Sequence, residues 1–151
     1  MKRGVFFFHL AARTFSAYDY SIPIEGFQKR MANIMIVDDD HQTSGLLERV
    51  IQMYNHETLI VNESSRAMEM AQTFHPDLFI LDLMMPEIDG FELSSIIRAD
   101  PTFSNTPVIV VSAMEDKDAK AKAFSIGVSE YLTKPFNIME LGEKLDTLLV
   151  K

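Results

Sequence analysis

Residues 78–86 read Leu-Phe-Ile-Leu-Asp-Leu-Met-Met-Pro, and the first five of them decide the architecture. Leu78 to Leu81 is an unbroken apolar run with no polar residue at alternate positions. That is expected of a strand covered on both faces rather than one with a wet side. Asp82 ends the run; aspartate is disfavoured inside a sheet, so it either begins a loop or stands at a site. Similar runs lie at Ile34 to Val37, Thr58 to Val61, Val108 to Val111 and Tyr131 to Thr133. Between them apolar residues recur at helical spacing: Leu46, Leu47, Val50, Ile51 and Tyr54; Met68, Met70, Ala71 and Phe74; Phe91, Leu93, Ile96 and Ile97; Ala119, Ala123, Phe124 and Ile126. Ile138, Leu141, Leu145 and Leu148 form a last stripe. Five strand-helix repeats predict an α/β fold of three layers, α/β/α, with a doubly wound five-stranded parallel sheet and right-handed crossovers.

In such sheets the site lies outside the carboxyl ends of the strands. Four strand ends carry useful chemistry: Asp38-Asp39-Asp40, Asp82, Ser112 and Lys134-Pro135. The fold would bring them to one edge. Clustered carboxylates repel one another unless a cation compensates, and hard oxygen ligands suit Mg²⁺. Lys134 can be an ordinary solvated lysine, but its place before Pro135 restricts its backbone and allows a cis bond that aims the ammonium. Each residue also has a plain structural reading. Asp38 to Asp40 can cap a helix beginning near Thr43. Ser112-Ala113-Met114-Glu115 matches a capping box. Asp89-Gly90 reads as a turn in which glycine supplies conformational freedom. Tyr131 reads as a half-buried strand aromatic, and the methionines mostly as core filling. His9, His41, His56 and His75 show no ligand spacing.

Composition narrows the classes. The 151 residues are enough for one domain, and 47% hydrophobic residues exclude disorder. Zero cysteines exclude disulfides and thiolate metal sites and fit a reducing, cytoplasmic setting. A net charge of -8 disfavours direct binding to nucleic acid. The charge is uneven. Residues 1–31 carry five basic and two acidic side chains and seven of the fifteen aromatics, whereas the rest carries nine basic against twenty acidic. Lys2-Arg3 before Val5 to Ala12 outlines a secretory signal, but the apolar stretch is short and lacks a clear cleavage site. No stretch is long enough to span a membrane. Residues 1–31 are therefore read as an N-terminal extension, either flexible or an artefact of start-site choice, with Phe6-Phe7-Phe8 beside basic residues as a weak candidate for membrane or partner contact.

Ile36-Val37-Asp38-Asp39-Asp40, Leu81-Asp82-Leu83-Met84-Met85-Pro86 with Asp89-Gly90, Val111-Ser112-Ala113, and Tyr131-Leu132-Thr133-Lys134-Pro135-Phe136 together resemble the receiver domain of two-component response regulators. The resemblance covers roughly Ala32 to Val150, making residues 32–151 the receiver domain, and implies a CheY-like, flavodoxin-like strand order of 2-1-3-4-5. It implies Asp82 as phosphoacceptor, with Asp38, Asp39, Asp82 and the Met84 backbone carbonyl holding Mg²⁺ or Mn²⁺. Lys134 and Ser112 would act on the phosphoryl group, and Ser112 and Tyr131 would form the switch. The implied donor is a histidine kinase or histidine phosphotransferase; the implied reader is a downstream protein docking on the fourth helix, fifth strand and fifth helix. A phosphorylation-linked dimer through that face is also compatible. The protein would not be an enzyme beyond catalysing its own phosphorylation and slow autodephosphorylation. With Met84 and Met114 near the phosphoryl entrance, neither able to orient a water well, dephosphorylation is expected to be slow. The expectation is a stand-alone regulator without an output domain. Two alternatives differ in class. A haloacid-dehalogenase-like phosphatase would need Thr or Val where Gln42 stands, and a pseudo-receiver would act by binding alone.

Overall fold

The apolar runs become strands because their side chains split between two separate cores. The computed structural model describes residues 30–150, so the expectations for the N-terminal extension fall almost wholly outside the described residues. The strands are β1 (Asn33–Val37), β2 (Glu57–Val61), β3 (Leu78–Leu81), β4 (Val108–Ser112) and β5 (Glu130–Thr133). They pair in parallel in the order β2-β1-β3-β4-β5, as expected. The helices are α1 (His41–Met53), α2 (Ala67–Phe74), α3 (Gly90–Ala99), α4 (Lys117–Ile126) and α5 (Ile138–Leu149), with a 3₁₀ turn over Ser64–Arg66 ahead of α2.

Met35, Val37, Phe79, Leu81, Val108 and Val110 face one core with Ala67 and Ala71 of α2, Leu93 and Ile97 of α3 and Ala123 of α4. The intervening Ile34, Ile36, Leu78, Ile80, Ile109 and Val111 face the other core with Leu47, Val50 and Ile51 of α1 and Leu141 and Leu145 of α5. Alternation between two dry faces is what makes the runs continuously apolar. At about 1.5–3 kcal/mol per fully buried large aliphatic or aromatic side chain, these two layers are the main stabilising term. Phe79 adds an edge-to-face contact with Phe103, ring centroids 5.6 Å apart. Among the described residues, no helix is long and apolar enough to cross a membrane.

Several local expectations need correction. Helix α1 starts at His41, not near Thr43, because Asp40 alone caps it, accepting from the Gln42 N–H. Ser112 does not cap α4; Asp116 does, accepting from the Ala119 N–H, so the capping-box pattern is coincidental. Gly90 is not needed for an unusual turn. It is the first residue of α3, with Asp89 as the cap, and a Cβ there would lie 2.1 Å from the Asp82 carbonyl oxygen. The helical stripes are also wider in sequence than in burial: Leu46, Phe124 and Ile138 are exposed, as are Met31, Met53, Met84 and Met139. Among the described methionines, Met35 and Met85 are buried in the core, and Met68, Met70 and Met114 pack against it, partly buried.

Candidate functional site

Strand register brings the carboxylates together. Val37 is level with Leu81, and Leu81 with Val110, so the residues following β1 and β3 emerge side by side at the carboxyl edge. Asp38 is buried; its N–H donates to the Val61 carbonyl at 3.2 Å and its Oδ1 accepts from the Asp40 N–H at 2.9 Å. Asp82 is 7% exposed, its N–H donates to the Val37 carbonyl, and its Oδ1 accepts from the Met84 N–H at 3.3 Å. Asp39 is exposed, and carboxylate oxygens of Asp38, Asp39 and Asp82 lie within 4.8 Å of one another. Asp40 points elsewhere, held by the Thr43 hydroxyl and the Gln42 amide. Those bonds keep its carboxyl below the usual range.

Lys134 follows β5, and its Nζ is 3.1 Å from Asp38 Oδ2 and 3.1 Å from Asp82 Oδ2. The Lys134-Pro135 peptide is cis, as the sequence allowed. Burial alone would lower the ammonium's pKa, but the hydrogen bonds and charges of Asp38 and Asp82 more than offset it and raise it. Burial raises the Asp38 carboxyl; the Asp40 N–H and Lys134 offset this only in part. One ammonium thus faces three carboxylates, a set of hard oxygens that leaves charge for a small divalent cation to neutralise. The residues fit Mg²⁺ or Mn²⁺.

Removing the ammonium tests this balance. Lys134→Met is expected to lower metal-free stability by about 1–2 kcal/mol, less than for a fully buried pair because the lysine is partly solvated. Saturating Mg²⁺ should recover more stability in the variant than it adds to the wild type. Urea unfolding with and without Mg²⁺ measures both, and an undiminished metal-free stability would refute the electrostatic reading.

Ser112 is fully buried at the end of β4, and its Oγ accepts from the Met114 N–H at 3.3 Å. Its carbonyl accepts from the Lys134 N–H at 2.8 Å, which ties the fourth strand end to the fifth. Tyr131 is half-buried, and its hydroxyl donates to the Met114 carbonyl at 2.7 Å. Burial raises its phenol pKa, the Ser112 hydroxyl offsets part of this, and the charges of Asp116 and, less, Asp82 add to it. The site is thus one cluster, with Asp38, Asp39, Asp82 and Lys134 in direct reach and Ser112 and Tyr131 joined through Met114 beside it. Met84 is 62% exposed next to Asp82, whereas Met114 packs partly against the core. Two polar residues that the sequence reading passed over also reach these loops. Asn62 donates to the Asp38 carbonyl at 2.7 Å, and Ser64 donates to the Pro86 carbonyl at 3.0 Å. In sequence they are ordinary loop residues after a strand.

Residues 34–146 match the response regulator receiver domain family. The chain is 32% identical over 119 residues to the DNA-binding dual master transcriptional regulator RpaA of Synechocystis, covering 79% of this chain and 49% of that protein. It is 33% identical to the response regulator ArlR of Staphylococcus haemolyticus, covering 79% and 53%. It therefore spans about half the length of these two relatives. Among solved structures, the chemotaxis protein CheY4 of Vibrio cholerae superposes with a TM-score of 0.74 at 25% identity, over 79% of this chain and 99% of that one. The receiver domain of the Francisella response regulator 1452 gives 0.72 at 30% identity, over 78% and 96%. Sequence, strand order and the acidic edge agree: the chain belongs to the response regulator receiver domain family, as the receiver of a two-component response regulator.

Proposed function

We propose that residues 32–151 act as a phosphoryl-accepting receiver, taking the group from a phosphohistidine of a histidine kinase or phosphotransferase onto Asp82. The observation that carries this reading is Lys134, whose Nζ lies 3.1 Å from a carboxylate oxygen of both Asp38 and Asp82. An Asp82 oxygen attacks phosphorus as the P–N bond breaks; the imidazole leaves and takes a proton from solvent. Transfer of this kind depends on positioning and on charge stabilisation more than on covalent help. Lys134 can follow the phosphoryl oxygens without leaving Asp38. The Asp38, Asp39 and Asp82 carboxylates, with the Met84 carbonyl, would hold Mg²⁺ or Mn²⁺, which when bound supplies the remaining positive charge against the phosphoryl oxygens.

Ser112 would donate its hydroxyl hydrogen to a phosphoryl oxygen, drawing the segment after β4 inward. That segment is tied to Tyr131 through the Met114 carbonyl, so the shift reaches the surface formed by α4, β5 and α5, where a partner protein would read it. Incubation with Mg²⁺ and acetyl phosphate, followed by intact mass, tests the reading. One phosphoryl adduct per chain is expected, and none would reject it.

Hydrolysis of that adduct should be slow, because Met84 beside Asp82 cannot orient a water. Met84→Asn combined with Met114→Glu is expected to shorten the adduct's half-life by about a hundredfold, the low end of what a positioned acid-base group contributes. Decay followed by mass after donor removal measures it. A rate equal to wild type would refute the role given to the two methionines.

A further inference from the structure

The carboxylates come from two separate loops, Asp38 and Asp39 after β1 and Asp82 after β3. A third loop, after β2, grips both. The β1-β2 ladder ends at Val37 opposite Val61, and the Asp38 N–H still donates to the Val61 carbonyl. One step further, backbone pairing stops and the Asn62 carboxamide continues it. Its Nδ2 donates to the Asp38 carbonyl at 2.7 Å and to Ser44 Oγ, in the first turns of α1, at 3.3 Å. Two residues on, the buried Ser64 donates through Oγ to the Pro86 carbonyl at 3.0 Å and accepts from the Ile88 N–H at 3.2 Å. Between those two contacts Glu87 has φ 67°, a left-handed conformation that a non-glycine residue seldom holds without an outside tie. The Ile88 N–H also donates to the Pro86 carbonyl at 2.9 Å, closing the turn, and Ser64 bonds both of its ends from outside.

We propose that Asn62 and Ser64 are positioning residues that together set the spacing of the two carboxylate loops, and thereby the affinity and selectivity of the site for a divalent cation, without ligating it. This rests on the reading that Asp38, Asp39 and Asp82 hold such a cation. The physical reason is geometric. Mg²⁺ requires near-ideal octahedral placement of its oxygens, whereas Ca²⁺ accepts looser and more variable arrangements. Groups that orient ligands from outside the coordination shell typically govern affinity by tenfold or more. Loosening the bracket should therefore weaken Mg²⁺ more than Ca²⁺. A residue that merely supports the fold would lower the melting temperature and leave that preference alone.

The experiment is calorimetric titration of the full chain with MgCl₂ and, separately, CaCl₂, for wild type, Asn62→Ala, Ser64→Ala and the double variant. Circular dichroism confirms that each is folded at the titration temperature. Each single variant is expected to lose about tenfold in Mg²⁺ affinity and clearly less in Ca²⁺ affinity. Mg²⁺ affinity within about twofold of wild type, or equal losses for both cations, would overturn the proposal. If an alanine variant does not fold, Asn62→Gln and Ser64→Thr keep the polar group but displace it or crowd it, and the same outcomes decide. A wild-type chain that binds no Mg²⁺ overturns the metal reading and the bracket with it, whereas normal wild-type binding with unchanged variants overturns the bracket alone.

Discussion

Asp82→Asn is expected to abolish the phosphoryl adduct that acetyl phosphate and Mg²⁺ form on the wild-type chain, while leaving the fold intact. The amide has the size of the carboxylate, and its one oxygen can still accept from Lys134, while its NH2 takes the place of the oxygen that holds only the longer, 3.3 Å bond from the Met84 N–H. It lacks the anionic oxygen that attacks phosphorus, so the chemistry is lost rather than slowed. Stability should not suffer. One ammonium faces three acidic groups in the wild-type site, so neutralising one of them relieves repulsion and leaves Lys134 paired with Asp38. The variant is therefore expected to unfold in urea, without Mg²⁺, at a midpoint equal to or above that of wild type. Intact mass after donor treatment is the decisive measurement. An adduct of undiminished stoichiometry on the Asn variant would place the acceptor elsewhere.

Gly90→Ala has the largest expected effect on stability. The added Cβ would meet the Asp82 carbonyl oxygen at 2.1 Å and the Leu83 Cα at 2.7 Å, both backbone atoms that no rotamer change can move. The Gly90 N–H also donates to the Leu83 carbonyl at 3.0 Å, so α3 begins in direct contact with the loop that carries Asp82. Relief requires the helix start to shift away from that loop. The cost is expected at about 3 kcal/mol, the upper end for overpacking, or a fall in melting temperature on the order of 10 °C. Because the shift also displaces Asp82, adduct formation should slow several-fold even at temperatures where the variant is folded. Thermal unfolding and the rate of adduct formation test the two consequences separately. A variant as stable as wild type would show that the helix start is not seated as closely as this geometry requires.

Both effects were only half visible in the sequence. Asp82 was legible because an acidic residue closing a doubly buried strand has few plain structural uses. Parallel pairing then brings every such strand end to the same edge. Gly90 looked like a turn residue, since Asp-Gly after a proline is common in turns. Its actual constraint is the distance from α3 to a carbonyl eight residues earlier, which local sequence does not encode. Ser112 matched a capping box, and only the position of α4 shows that Asp116 does the capping. Helical periodicity locates the stripes but not their width: Leu46 and Phe124 recur at helical spacing and are exposed.

The fold class, the five strands, their shared carboxyl edge and the candidacy of Asp38, Asp39, Asp82, Ser112 and Lys134 are legible in the chain alone. These follow from side-chain polarity and its period, which are properties of the chain read one residue at a time. It takes the packed fold to show that Lys134 bridges two carboxylates, that Tyr131 bonds the Met114 carbonyl, that Gly90 leaves room for the Asp82 backbone and that Asn62 and Ser64 bond the two acidic loops. Those depend on strand register and helix seating to within an ångström, and hydrogen-bond direction and steric contact have no signature in composition or periodicity.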